Sequence, residues 1–381
     1  MKKNLIILGV LMIALLSSCL IYLPENAGRR PGYTETSVEP TYVESPTTAI
    51  SMNFIFDYLS GYGHWVRHRY YGYVWVPRGV PRHWRPFTNG RWVWTEYGWT
   101  WFSYFDWGWL PFHYGRWGWD NRLGWFWVPD NVWAPAWVIW RTGDFYVGWA
   151  PLPPGVEFVV GYGLRWKTRD LPHYYWVFVE GRRFSEAHLL DWVIPPERNM
   201  TIVNFTVVRD KMSFKDKQII NDALRPDEIE RLSRRPVTRV KLQEIKQPEP
   251  GRISYSEMSL YKPEIKPEQV TPKSVLDEDE AVQKIKNENQ VSSRVELEKI
   301  HRQEEQVLEQ TQRLEVERFR KKLEEETRTL SPGQREKEIE VRLQELRKKH
   351  AQEKEALVKR QQEEKQEKPK IVKKENLRKK D

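Results

Sequence analysis

The side chains able to do chemistry are sparse. The 381 residues hold one cysteine, Cys19, and eight histidines, with no nucleophile elbow, phosphate loop or His-Glu-x-x-His pattern. His64 and His68 lie four apart beside Arg67 and Arg69 and would share a face of a strand. A zinc site needs at least one more ligand, and none stands at metal-site spacing. The carboxylates of this region are Asp57, Glu96, Asp106, Asp120, Asp130 and Asp144. A glycosidase needs two converging carboxylates at a set separation, whereas Glu96, Asp120 and Asp144 fall where loops are expected and suit turn roles. The expectation is a protein that is not an enzyme and uses no cofactor or metal. A hydrolase acting through Glu96 or Asp106 ranks last.

What must position these groups is a repeat. Seventeen of the 20 tryptophans fall between Trp65 and Trp149, in three copies of Gly-x-Trp followed by Gly-x-x-Trp. They begin at Gly63, Gly90 and Gly115, with second glycines Gly72, Gly98 and Gly124. Such a period marks small units that bury their apolar faces on one another. Period-two alternation puts the indoles of Trp92-Val-Trp94 on one face, and the second glycine supplies the left-handed residue of a hairpin loop. Folding each copy back pairs Trp65 with Trp75, Arg67 with Tyr73, Trp92 with Trp101, Trp94 with Trp99, Trp117 with Trp127 and Trp119 with Trp125. A fourth hairpin spans Trp137 to Trp149 and turns at Thr142-Gly143-Asp144. Trp84-Arg-Pro86, Trp109-Leu-Pro111, Trp133-Ala-Pro135 and Trp149-Ala-Pro151 end the units, because proline stops ladder pairing. Aromatic pairs contribute roughly 0.5–1.5 kcal/mol each beyond the area they bury, so a core short of Leu and Ile is feasible. Lysine is absent from Asn4 to Trp166 while arginine is frequent. Arg67, Arg91 and Arg116 are candidates to stack on rings and brace the outer faces of the core. The paired indoles are either that core or a platform on which sugar rings stack.

The N-terminus reads as an address. Lys2 and Lys3 precede an apolar run from Leu5 to Leu16, too short to span with ordinary flanks, and small residues follow. Leu16-Ser17-Ser18-Cys19 resembles the lipobox of bacterial lipoproteins. That resemblance implies removal of residues 1–18, lipid attachment at Cys19, and, with Leu20 rather than Asp next, the outer membrane facing the periplasm or the cell surface. The net charge of +9 suits an anionic envelope surface, and export argues against nucleic acid as a partner.

Beyond the repeat the expected class is multidomain. An all-β Trp-rich hairpin-repeat domain (52–160) follows a flexible tether (19–51) rich in Pro, Thr, Ser and Glu. A small mixed α/β segment (161–247) has strands at Tyr174–Val179 and Thr201–Val208 and a helix from Pro226. Prolines punctuate a linker at 248–277. Charged helices (278–364) break at 331–333, where Ser331-Pro-Gly-Gln334 spells a capping box. Glu-to-base steps such as Glu338–Arg342 and Glu355–Lys359 support them. The thin seams Ile300, Val307, Leu314 and Ile339, Leu343, Leu346, Leu357 allow a weak coiled coil or a solvated helix pair. A basic tail (365–381) reads as disordered.

Trp84-Arg-Pro-Phe-Thr-Asn-Gly-Arg-Trp92, Trp107-Gly-Trp-Leu-Pro-Phe-His-Tyr-Gly-Arg-Trp117 and Gly148-Trp-Ala-Pro-Leu-Pro-Pro154 resemble a tryptophan-rich domain of exported bacterial proteins, a family of unknown function. The resemblance covers Trp84–Pro154 and implies an envelope location without an activity. The reading is a non-enzymatic, lipid-anchored envelope protein that binds or scaffolds, with peptidoglycan or another glycan as ligand. The alternative is a spacer that meets protein partners, or itself, through residues 278–364; an envelope hydrolase comes third.

Overall fold

The computed structural model describes residues 49–80, 84–166, 170–288 and 294–366. Cys19, the signal segment, most of the tether and residues 367–381 lie outside the described residues.

Strand β1 (Ala49–Ser51) leads into helix α1 (Met52–Ser60), which Ser51 caps by accepting the Phe54 N–H. Four hairpins follow: β2–β3 (Gly63–His68, Gly72–Pro77), β4–β5 (Gly90–Thr95, Gly98–Ser103), β6–β7 (Arg116–Asp120, Gly124–Val128) and β8–β9 (Val138–Thr142, Tyr146–Pro151). Their registers pair Trp65 with Trp75, Arg67 with Tyr73, Trp92 with Trp101, Trp94 with Trp99, Trp117 with Trp127, Trp119 with Trp125 and Trp140 with Trp149. The first six are the expected pairings; the seventh sets the register of the fourth hairpin.

The two glycines of each repeat serve different ends. Gly72, Gly98 and Gly124 have φ of 73°, 82° and 78°, the left-handed conformation a loop end requires. Gly63, Gly90 and Gly115 lie under an indole: a Cβ on Gly63 would stand 2.5 Å from Trp75 Nε1, and one on Gly115 the same distance from Trp127 Nε1. Only glycine lets the partner ring lie flat on the backbone.

The hairpins form neither one barrel nor one stack. β2–β3 and β6–β7 share a five-stranded sheet, β4–β5 stands as its own pair, and β8–β9 sits at the centre of a four-stranded sheet. Indoles join them, as where Trp92 of the second meets Trp140 of the fourth at a centroid distance of 4.5 Å, and Trp107 of the loop after β5 packs on Trp75 of the first at 5.1 Å.

The sheet around β8–β9 is finished by later chain. After a small hairpin, β10–β11 (Glu157–Val159, Gly163–Arg165), strand β12 (Val177–Glu180) pairs with β9. It occupies the end of the expected Tyr174–Val179 run. Thr201–Val208 is not a strand. It holds the helical turn α2 (Asn199–Ile202) and a 3-10 turn, and only β13 (Val207–Arg209) pairs, with β8. Side-chain bonds to the backbone explain this: Asn204 donates to the Met200 carbonyl and Thr206 to that of Ile202, which closes turns against β propensity. Hairpin β14–β15 (Ser213–Lys215, Gln218–Ile220) and helix α3 (Pro226–Ser233, with Pro226 in its first turn) come next.

The proline-punctuated stretch 248–277 is not a linker. After β16 (Lys241–Ile245) it carries β17 (Arg252–Ile253), β18 (Glu257–Tyr261), β19 (Glu264–Lys266) and β20 (Leu276–Asp277). β18 pairs with β16 and β17, β19 with β1, and β20 with β2. Its prolines bound strands rather than prevent them, while Met258 and Leu260 alternate inward. The end of the expected tether is thus a strand too. One apolar cluster runs through the hairpins and takes in Val177, Ile229, Met258 and Ile265.

Three helices close the described chain: α4 (Glu278–Glu288), α5 (Arg294–Glu326) and α6 (Pro332–Gln366). Leu276, Ala281 and Val282 cover Val66 and Val74 on the outer side of the first hairpin. α5 and α6 pack antiparallel, as Arg320–Glu336 near the turn and His301–Glu364 at the far end show. The break lies at 327–331, a few residues before the expected 331–333, and Ser331 donates its hydroxyl to Gln334 Oε1, a side-chain bond rather than the full capping box. The expected seams diverge. Leu323, Ile339 and Leu343 pack between the helices, whereas Val307 joins the core of the body. The helix pair is therefore docked, not solvated alone.

Candidate functional site: the clamp between body and helical hairpin

The face of paired indoles is core. Trp65, Trp75, Trp92, Trp99, Trp101, Trp117, Trp125 and Trp127 are all at most 5% exposed, while Trp94 and Trp119 are half-buried. Several N–H groups are spent on loop and helix carbonyls. Trp65 and Trp75 donate to Phe56 and Leu59 of α1, Trp117 to Pro111 and Trp127 to Tyr114. Indoles buried to this degree are core and present no open face on which a sugar ring could stack.

The arginines do not all brace outer faces. Arg67 does, exposed and 5.5 Å from the Tyr73 ring. Arg91 is half-buried. Arg116 is buried, 3.5 Å from the Trp137 ring, and donates to the Val156 and Gly115 carbonyls. Arg85 is buried too, donating to Trp176 and Ile194. Burial draws both guanidinium pKa values down to about 10.

The other candidate groups are engaged singly. His64 meets Glu288 at 2.5 Å, and His68 accepts the Tyr70 N–H while packed against Tyr71 and Phe126. Burial lowers the His68 pKa. No three metal-binding side chains converge among the described residues. Asp120 accepts the Arg122 and Leu123 N–H groups, a turn role, and Glu96 accepts that of Leu242. Asp57 pairs with Lys273, and Asp130 lies 3.9 Å from Arg116.

Two polar groups that sequence reasoning passed over organise the interior. Asn221 is fully buried and employs every hydrogen-bonding group it has. Its N–H goes to the Tyr97 carbonyl, its C=O takes the Trp99 N–H, its Oδ1 takes Trp140 Nε1 at 2.6 Å, and its Nδ2 donates to Ala136. It bolts the second hairpin to the fourth. His113 is buried against Trp133, with Nδ1 on the Ala134 carbonyl, and desolvation pulls its pKa to about 4.

The most concentrated charge lies where α5 and α6 meet the body. Arg198 is fully buried. Its guanidinium binds Glu315 of α5, Glu353 of α6 at 2.7 Å and the Tyr146 hydroxyl at 3.1 Å. Glu353 also accepts from Thr201 and Gln312, and Glu315 meets His350 Nε2 at 2.9 Å. Burial by itself would raise the Glu315 pKa. The His350 hydrogen bond and the Arg198 charge overcome that and hold it below the ordinary carboxylate value. Burial pushes the Tyr146 phenol up, which keeps it neutral. A second knot lies one helical stretch away: Arg360 of α6 joins Glu197 of the body at 2.6 Å, Glu304 of α5 at 2.9 Å and Glu364 at 3.0 Å, and Glu364 meets His301. Gln303 to Asp191 and Arg318 over Phe145 extend the contact. A buried ion pair adds little net stability, but losing one partner strands the other charge at a cost of about 3–5 kcal/mol. The arrangement therefore specifies one seating of the helices. No signal in Glu315, Glu353 or Arg198 separates them from the many surface charges around them in the sequence.

Residues 56–156 match the model of a family of unknown function, DUF6600. The match is wider than the stretch Trp84–Pro154, since it starts in α1 and takes in the first hairpin as well as the fourth. No curated protein and no solved structure matches the chain.

Proposed function

We propose that this chain is a non-enzymatic scaffolding protein of the cell envelope. In this reading it is anchored by lipid at Cys19, and its tryptophan body is a rigid mount that seats a charged helical hairpin for contact with a protein partner or a second copy. The observation that carries the reading is the buried Arg198, shared between the body and both helices. A spacer with free helices would have no use for a charge placed there. Metabolic labelling with palmitate should mark the wild-type chain and not Cys19→Ala; absence of label on both removes the anchor. Photo-crosslinkers at Arg313 and Arg347, on the helices, should yield defined partner or self adducts in cells. Adducts from Tyr162 on the body, with none from the helices, would overturn the assignment of the contact surface.

Glycan binding stays as a second reading, on a different face. Trp119 is half-buried and its ring lies 6.0 Å from that of Tyr174, which is 37% exposed. Retention on purified peptidoglycan that is lost in Trp119→Ala would support it.

A further inference from the structure

A groove of about 810 Å³ opens beside the turn of the fourth hairpin. Five arginines line it: Arg182, Arg209, Arg231 of α3 and Arg234 just past its end from the body, and Arg318 from α5. Against them stand two carboxylates, Asp144 and Glu228. Glu228 is already spoken for, 3.8 Å from Arg209 and hydrogen-bonded to Thr142, and Arg182 is held by Glu180 outside the groove. Arg231 and Arg234 are exposed and have no ion-pair partner among the described residues. The groove thus carries an excess of guanidinium groups of the kind that bind phosphate through paired N–H bonds.

Two further features narrow the ligand. Phe205 and Val207 also line the groove and are 46% and 58% exposed, an apolar strip next to the cations rather than a purely polar bowl. Arg234 itself sits at the C-terminal end of α3 with φ of 56°, where a helix ordinarily places glycine because a side chain is strained there. The chain keeps a guanidinium at a position that penalises any side chain.

We propose that this groove binds an anionic amphiphile, with a phosphate head on Arg231, Arg234 and Arg209 and an apolar part over Phe205 and Val207. Arg318 of α5 lies over the Phe145 ring at the edge of the groove, and the residues assigned to the ligand all belong to the body. The site is separate from the Arg198 knot, so it stands or falls independently of the scaffold reading.

The test uses the whole chain and three soluble probes by calorimetry: dihexanoyl phosphatidylglycerol below its micelle concentration, dihexanoyl phosphatidylcholine and inorganic pyrophosphate. The phosphatidylglycerol should bind at least tenfold more tightly than either of the others. The double variant Arg231→Gln, Arg234→Gly should lose at least tenfold in that affinity with an unchanged or raised melting temperature, since glycine relieves the strain at 234. Phe205→Ser should weaken phosphatidylglycerol and leave pyrophosphate unaltered. Equal binding of the two lipids removes the charge argument, and pyrophosphate binding as tight as the lipid's removes the apolar one. Full affinity in the double variant removes the site.

Discussion

In the body each hairpin turns indoles to one face, and several of their N–H groups go to carbonyls of loops or of α1; in the helical hairpin Leu323, Ile339 and Leu343 pack together near the turn, and further along the buried Leu346 and Leu357 alternate with buried polar side chains, His350, Glu353 and Gln361. Both regions bury polar atoms, but the body sets most of its hydrogen bonds on backbone carbonyls, its buried Arg85 and Arg116 included, whereas the clamp pairs buried full charges with one another. Neutral pairs are insensitive to salt. Ionic knots are specific in geometry and fail abruptly when one member goes. The body is built as a permanent object and the helices as a seated one.

The widest separation of the two should come from Arg198→Met. It leaves Glu315 and Glu353 buried without their cation, for a loss of about 3–5 kcal/mol. Hydrogen exchange should quicken across α5 and α6 while the Trp hairpins stay protected; equal loosening of both would end the distinction. Acid acts on both regions, through different groups. The folded pKa of Glu315 is depressed, so its contribution is present above the unfolded value of about 4.3 and is lost as pH falls through the lower folded value. The loosening of α5 and α6 that Glu315 causes should set in below about pH 4, whereas the body has its own acid-sensitive group in His113, which weakens it as pH falls from about 6.5 towards 4.

The counterpart in the body is Asn221→Ala. Trp140 Nε1 and the Ala136 carbonyl lose their partner, and two unsatisfied buried groups cost about 2–4 kcal/mol. Denaturant unfolding followed by tryptophan fluorescence should show this loss, with the same value at low and high salt. A strongly salt-dependent change would mean that the neutral interior is not what holds the hairpins together.

Alternation, paired glycines and Trp-x-Pro stops made the hairpins and even their registers readable, because a period of two leaves one face for an indole and one glycine sets the loop end. The joining of hairpins was not readable. Asn221 is one polar residue among many, and its four bonds depend on chain brought together from positions 97, 99, 136 and 140. The strands in 248–277 are two to five residues long, too short to rise above their prolines. The helices were plain from their Glu-to-base steps, but those steps describe solvated faces and carry no mark of Glu315 and Glu353. Burial of the indoles was the open alternative at the candidate site, and the Cβ-free floor at Gly63, Gly90 and Gly115 is the sequence mark that points to it.

That floor separates two kinds of glycine within one hairpin. Gly63→Ala would drive a Cβ to 2.3 Å from the Val76 carbonyl oxygen and 2.5 Å from Trp75 Nε1, and overpacking against backbone costs about 3 kcal/mol. Gly72→Ala meets nothing within 4 Å but keeps φ of 73°, so its cost is conformational, about 1–2 kcal/mol. Thermal unfolding of the two variants should rank them in that order. The reverse ranking would show that the indole can lift off the strand, and that the body is less closely packed than its burial implies.

The smallest effect belongs to an exposed pair of the same chemistry as the clamp. Arg342 donates to Glu338 at 2.7 Å across one helical turn, with both side chains more than 40% exposed. Glu338→Gln should cost only about 0.3–0.5 kcal/mol, and the cost should vanish in high salt. Placed beside Arg198→Met, it isolates the one variable that differs, which is water. Exposed ions lose solvation little on pairing and gain little from it; buried ones have already given up their hydration and have nothing but each other. If Glu338→Gln loosened the helices as much as Arg198→Met, their seating would rest on helix propensity along α6 and not on the knots, and the clamp would be a consequence of docking rather than its cause.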